Sequence, residues 1–265
     1  MHAFITGVSV WGPGLAGWEA SLPVLAGRQD YVAENTPPPP PPVLPATERR
    51  RAGVTVRLAL TVAQQAMAMA GEAIGGVRSV FGSSNGDGAV VHAILEELAR
   101  PDPQVSPTQF HNSVHNAAAG YWTIATASHE AATSLGCHDA TFGAALLKAI
   151  AELRVEGKPV MLCVYDAPFP EPLATARPIT AAFAAGLVLV PEPTERALMR
   201  IDIGYRHAPP DPTIEAPSQT TLHTLWRGNP AARALRLLEL IARAEPGTAC
   251  AGLLDGRIDI DVRKP

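Results

Sequence analysis

Three adjacent residues, Cys137, His138 and Asp139, have the side-chain types of a thiol nucleophile, its base and an orienting acid. A thiol attacks acyl groups when an imidazole takes its proton and a third group holds that imidazole in place. Adjacent side chains rarely face one another in this way, so we expect Asp139 to cap a helix. Cys137 stays open as the nucleophile of an independent acyl transferase or thioesterase.

Two histidines, His111 and His115, are four residues apart, a spacing that could place both on one metal ion if they shared a helix. No cysteine or carboxylate is close enough in sequence to complete the ligand set, so we expect neither a metal nor a cofactor. The three cysteines, Cys137, Cys163 and Cys250, are far apart and form no CxxC pair. This usage is typical of a reducing compartment and predicts a cytoplasmic protein.

Composition excludes several classes of protein. The 265 residues are 47% hydrophobic and 17% charged, enough to bury a large core. The net charge of -4 argues against binding nucleic acid through phosphate neutralisation. No apolar run reaches the roughly 20 residues of a membrane span, and the N-terminus lacks the pattern of a secretory signal.

Apolar runs alternate with helix-forming segments, which predicts an α/β fold. Strands are expected from residue 3 into the turn at 12–14 and at 77–81, 132–137, 160–165, 185–190, 198–205 and 257–262. Helices are expected at 18–26, 55–70, 90–100, 116–125, 139–154 and 231–243.

Three further segments have distinctive compositions. The proline run at 37–42 predicts a stiff polyproline II loop, with a docking site for an aromatic groove as the alternative. The glycine-rich loop at 82–88 lacks the lysine of a phosphate-binding loop, so we expect a tight turn. The basic run at 49–51 is expected to be a solvated turn or a contact for an acidic protein.

Several segments together resemble the N-terminal half of a β-ketoacyl synthase, an enzyme with the thiolase fold. They are ITGVSVWGPG, SPTQFHNSVHNAAAGYW, LRVEGKPVMLCVYD and AAGLVLVPE, in the family's order, and they lie between residues 3 and 205. The resemblance implies half of a thiolase-like α/β fold, with a mixed β-sheet flanked by helices. It implies a domain at 1–205, with 206–265 as a C-terminal extension packed on the same domain.

In that family a nucleophilic cysteine stands after a strand, at the start of a helix. Counting without gaps forward from Gly120 and backward from Gly157 assigns this position to Ala140, with Gly143 as the family's small residue three places later. Cys137 falls three residues too early. Alanine carries no nucleophile, and the family's two histidine motifs have no counterpart after residue 205.

These losses resemble those of a chain-length factor, a catalytically silent partner of an active ketosynthase, in the short form that accompanies aryl-polyene ketosynthases. The resemblance implies a heterodimer with a full-length ketosynthase and an indirect link to acyl carrier protein, for which the basic run at 49–51 is a candidate contact. A homodimer and a scaffold module in another assembly remain alternatives. The strand at 132–137 is expected to pair across the interface because no Lys, Glu or Pro protects its edge.

Six residues are implied for the interface and the floor of the partner's acyl tunnel. They are Phe110, His115, Tyr121, Trp122, Thr133 and Leu135. For the first four, ordinary core packing is the alternative.

Overall fold

A mixed sheet of nine strands runs through the structure, a computed structural model that describes residues 1–265. Its strands are β1 (His2–Gly12), β2 (Leu15–Ala16), β3 (Arg78–Gly82), β4 (Ala132–Leu135), β5 (Val160–Asp166), β6 (Phe183–Val190), β7 (Met199–Arg206), β8 (Gly247–Leu253) and β9 (Gly256–Arg263). Their order across the sheet is β4-β3-β5-β6-β1-β7-β9-β8, with β2 paired to β1. Strands β4, β3 and β5 are parallel to one another, and the remaining pairs are antiparallel.

Eleven α-helices connect and cover the strands. They are α1 (Trp18–Leu25), α2 (Ala46–Arg51), α3 (Val54–Ala70), α4 (Gly88–Leu98), α5 (Pro107–Asn112), α6 (Ala117–Thr126), α7 (Thr141–Glu156), α8 (Leu173–Ala176), α9 (Pro212–Glu215), α10 (His223–Gly228) and α11 (Leu235–Arg243). The predicted mixed sheet flanked by helices is confirmed.

Helices cover the two faces of the sheet differently. Helix α3 lies across β1, β5 and β6 on one face and contacts α6 there, while α7, α11 and α1 pack on the other. Close approach of α3 requires glycine beneath it, because a Cβ atom on Gly7 would collide with the carbonyl oxygen of Ala66. The central strands β5 and β6 are fully buried, which explains their unbroken apolar sequences.

Four local predictions need correction. Asp139 does not cap α7, as described below, and the strand at 132–137 ends at Leu135. The basic residues at 49–51 lie in the short helix α2 rather than in a turn. The helix expected at 231–243 is split into a 3₁₀ turn, Pro230–Ala234, and α11, and the Asn229 side chain caps the 3₁₀ turn by accepting from the N–H groups of Ala231 and Ala232.

Strand β8 was not expected from the sequence. Its residues, GTACAGL, are mostly small and have little intrinsic preference for a strand. Pairing with β9 along its whole length makes this segment extended, and β9 in turn pairs with β7. Residues 247–263 therefore continue the same sheet that begins with the N-terminal strand.

Candidate functional site

The turn between β4 and α7 contains the position expected for a nucleophile. It passes through Cys137 and a 3₁₀ turn, His138–Ala140, before α7 begins at Thr141. The Thr141 hydroxyl accepts from the Cys137 N–H at 3.0 Å and donates to the His138 carbonyl at 2.7 Å. Ala140 is the residue that precedes the first turn of α7, so a methyl group stands at the start of this helix.

Cys137 lacks the partners of an activated thiol. Its side chain is half-buried, and no hydrogen bond joins its sulfur to an imidazole. The neighbouring His138 has a positive φ of 50°, and its exposed ring lies 3.5 Å from the Asp139 carboxylate. A base within hydrogen-bond reach is one means of activating a thiol, and no such base contacts Cys137 in this turn.

Asp139 forms an ion pair rather than a helix cap. Its carboxylate lies 2.7 Å from the guanidinium of Arg177, a residue on the loop that follows α8. Partial burial alone would raise the pKa of Asp139, but the hydrogen bond and charge of Arg177 outweigh it and lower that pKa. The expected capping role was wrong because a charged partner distant in sequence competes for the same carboxylate.

A buried carboxyl group, Asp166, lies at the end of β5. One of its oxygens accepts from the Ser83 hydroxyl at 3.1 Å and from the Ser84 N–H and hydroxyl at 2.9 and 2.8 Å. Its other oxygen has no partner. Burial raises the pKa of Asp166 to about 6, although the two serines and the charge of Arg177 oppose that shift.

The glycine-rich loop is held by this carboxyl group. Ser83 and Ser84 are its first residues after β3, and its last part caps α4 through Asp87, which accepts from the Val90 N–H. Sequence reasoning missed Asp166 as the partner of the loop. The signal was present, since an aspartate that ends an otherwise apolar strand must find hydrogen-bond donors when it is buried.

No group of three or more His, Cys, Asp or Glu side chains lies close enough together to hold a metal ion. Helix α5 ends at Asn112, so His111 and His115 do not share a helix. No helix combines the length and the apolar character that crossing a membrane would require.

The family model for the β-ketoacyl synthase N-terminal domain matches residues 25–229. The chain belongs to this ketosynthase family. No curated protein matches it in sequence.

Solved structures with the same fold include a chain of the complex between the ketosynthase ApeO and its chain length factor ApeC from Xenorhabdus doucetiae. The two chains are 18% identical with a TM-score of 0.73, and the match covers 98% of this chain and 99% of that one. A β-ketoacyl synthase from Burkholderia phymatum is 14% identical with a TM-score of 0.69, covering 100% and 99%. The ishigamide ketosynthase/chain length factor is 14% identical with a TM-score of 0.68, covering 99% of each chain.

The four residues expected at a tunnel floor do not lie in similar environments in this ketosynthase-family chain. Phe110 is 68% exposed, whereas Tyr121 and Trp122 are buried and only 3% and 1% exposed. Trp122 packs against Phe81, and the Tyr121 hydroxyl donates to Asn112. His115 is half-buried, with its Nε2 2.9 Å from the carbonyl oxygen of Ser83.

Strand β4 forms one edge of the ketosynthase-type sheet, and it pairs with β3 alone. Its first residue, Ala132, is exposed, and Thr133 and Leu135 are half-buried. The Thr133 hydroxyl donates to the Glu152 carboxylate of α7 at 3.0 Å. The outer backbone groups of β4 are consequently open to another strand.

Titration of Asp166 should make the stability of this ketosynthase-family protein depend on pH. The folded-state pKa of about 6 exceeds the ordinary 3.8, so the folded state binds the extra proton. The stabilisation is complete below the ordinary pKa and is lost as pH rises through the folded-state pKa. Asparagine does not titrate, so the free energy of unfolding of Asp166→Asn should not fall in this way. Relative to wild type it should rise by up to about 3 kcal/mol as the pH is raised from 4 to 7.5, measured by urea unfolding.

An exposed loop carboxylate provides the control for this measurement. Asp102→Asn should track the wild-type protein at both pH values, since Asp102 is exposed. An equal stability difference between wild type and Asp166→Asn at pH 4 and 7.5 would contradict the expected titration.

Proposed function

We propose that this protein is a catalytically silent subunit, similar to a chain-length factor, that pairs with an active β-ketoacyl-acyl-carrier-protein synthase and shapes its acyl tunnel. The observation that carries the proposal is Ala140 at the start of α7 in a chain of the ketosynthase family. The proposed setting is an acyl-carrier-dependent pathway of the aryl-polyene polyketide type, in the cytoplasm.

The side chain of Ala140 supports the absence of catalysis at this position. A condensing enzyme first holds its acyl chain as a thioester, and a methyl group cannot form that bond. Cys137, three residues earlier, has no contacting imidazole to take its proton. Support for a partner role comes from two structural neighbours, whose names describe a ketosynthase together with a chain length factor.

The open edge of β4 supports assembly with a second protein. Its four residues carry no charge and no proline, and they leave backbone donors and acceptors unpaired on the outer side. A strand from the partner would satisfy these groups. We propose that this partner is a full-length ketosynthase, with a second copy of this chain as the competing occupant.

Phe110 is the best candidate among the four predicted tunnel residues. Its ring is largely exposed, so it is free to enter a partner's cavity, and a ring in a tunnel excludes longer chains sterically. His115 lies beside the end of β4, because a Cβ atom on Gly136 would lie 3.1 Å from its Nε2. Tyr121 and Trp122 instead support these positions from the core.

Reconstitution with a candidate ketosynthase and its carrier protein tests the proposal. We expect no condensation and no thioester hydrolysis by this chain alone, a stable complex on size exclusion, and products whose length depends on this chain. Phe110→Ala should lengthen the products, because the variant removes a ring at the tunnel floor. Leu254→Ala is the control, since Leu254 is 81% exposed in the β8–β9 hairpin at the far edge of the sheet.

Other results would favour the remaining interpretations. Specific labelling of Cys137 by a thiol-directed acyl analogue, lost in Cys137→Ser, would indicate an independent acyl transferase or thioesterase. A stable complex with a protein that is not a ketosynthase would indicate a scaffold module. Product lengths that stay constant with Phe110→Ala and His115→Ala would contradict the tunnel role.

A further inference from the structure

A half-buried arginine, Arg233, stacks on the indole ring of Trp226. Its Cζ lies 4.5 Å from the ring centroid, and Trp226 is only 7% exposed. A second arginine, Arg227, approaches the same ring with its Cζ at 5.9 Å. An aromatic face stabilises a nearby guanidinium and restricts its position.

Arg233 forms no ion pair at contact distance. No carboxylate oxygen lies within 4.0 Å of its guanidinium, and its side chain donates no hydrogen bond within the protein. Burial lowers the pKa of Arg233, opposed by the charges of Glu215 and Asp139 and reinforced by the charge of Arg227. None of its nitrogens is buried without a partner, so they reach the surface, where an acceptor from outside the chain can bond to them.

The two nearest carboxyl groups do not fill this role. Asp139 is held by Arg177 at 2.7 Å. Burial raises the pKa of Glu215, opposed by the charge of Arg233, and no Glu215 oxygen lies within 4.0 Å of that guanidinium. Both carboxylates therefore act on Arg233 only at longer range, and neither forms an ion pair with it.

We propose that Arg233 and Arg227 form an anion site that binds a phosphate group. Guanidinium groups present paired N–H donors that match phosphate oxygens, and a charge-assisted bond is stronger than a neutral one. Arg227 is exposed, so a ligand can reach the pair from solvent. The 3₁₀ turn that carries Arg233 packs against the His138–Ala140 turn, so the site lies beside Ala140.

This phosphate could come from the phosphopantetheine arm of a carrier protein or from a free phosphorylated solute. The shared chemistry is the phosphate group, and the site does not depend on the silent-subunit proposal. Three probes separate the sources: inorganic phosphate, 4′-phosphopantetheine and pantetheine, which lacks the phosphate.

Calorimetric titration of the full chain tests the site. We expect 4′-phosphopantetheine or inorganic phosphate to bind, pantetheine to bind at least tenfold more weakly than its phosphorylated form, and Arg233→Gln to weaken phosphate binding by about tenfold or more. Arg28→Gln is the matched control, because Arg28 is exposed and makes no ion pair. Arg233→Lys keeps the charge, so it should retain more binding than Arg233→Gln if both fold.

Two results would overturn the site: no binding of either phosphate-bearing probe, or phosphate binding that is the same in wild type and a folded Arg233→Gln variant. Equal affinity for inorganic phosphate and 4′-phosphopantetheine supports a free-solute ligand. Tighter binding of 4′-phosphopantetheine supports the carrier arm. Thermal melting of each variant establishes that the compared proteins are folded.

Discussion

Ala132→Pro should weaken the proposed complex with a ketosynthase roughly 100-fold, because it blocks the open edge of β4. The N–H groups of Ser79 and Ser83 donate to the carbonyl oxygens of Ala131 and Leu135, so alternate residues of β4 face β3. The backbone groups of Ala132 then point to the open edge. Proline removes that outer donor and places its ring in the path of a partner strand.

Ala132→Ser is the control for this substitution, since it keeps the outward N–H at an exposed position. Its dissociation constant, measured by surface plasmon resonance or analytical ultracentrifugation, should match that of wild type. Without the partner, both variants should have the same melting temperature as the wild-type protein, because the outer N–H of Ala132 is not part of the β3 ladder. Normal affinity of a folded Ala132→Pro variant would place the ketosynthase contact elsewhere.

Glu239→Ala should destabilise the free protein by about 3–5 kcal/mol, the range for breaking a buried ion pair. Glu239 is fully buried in α11 and accepts from the N–H groups of Ser218 and Gln219 at 2.7 and 3.1 Å. It also pairs with Arg236 at 3.2 Å. Alanine leaves two backbone donors and a guanidinium without their acceptor.

Urea unfolding provides the measurement, with two variants for comparison. Glu239→Gln keeps the shape and one amide oxygen, so its loss should be smaller than that of Glu239→Ala. Glu245→Ala removes an exposed carboxylate just after the same helix and should change stability by less than about 0.5 kcal/mol. A loss below about 1 kcal/mol for Glu239→Ala would contradict the structural role argued for this carboxylate.

Long segments with a strong pattern were predictable from the sequence. The apolar runs of β5 and β6 and the helix at 54–70 were expected within a residue or two of their observed positions. A central strand that is buried on both faces needs continuous apolar residues, so such segments can be recognised from the sequence. Strand β8 was not recognisable from the sequence, because its small residues become a strand only through pairing with β9.

The candidate site was only partly predictable. The prediction that Ala140 stands where the family has its thiol comes from counting along the chain, and it depends on the resemblance to ketosynthases. The partners of the charged residues do not follow from it. Asp139 and Arg177 are 38 positions apart. Asp166 accepts from Ser83 and Ser84, which precede it by 83 and 82 positions.

Local patterns along the chain were enough to predict the α/β class and the ketosynthase-like order of segments, and they led to the expectation that Ala140 occupies the nucleophile position. Packing of the layers established which polar groups contact one another: the buried carboxyl of Asp166 with the glycine-rich loop, Glu239 with Ser218 and Gln219, and Arg233 with Trp226. The physical reason is that apolar periodicity is local, whereas a buried charge or donor takes whichever partner the packed layers bring within hydrogen-bond distance.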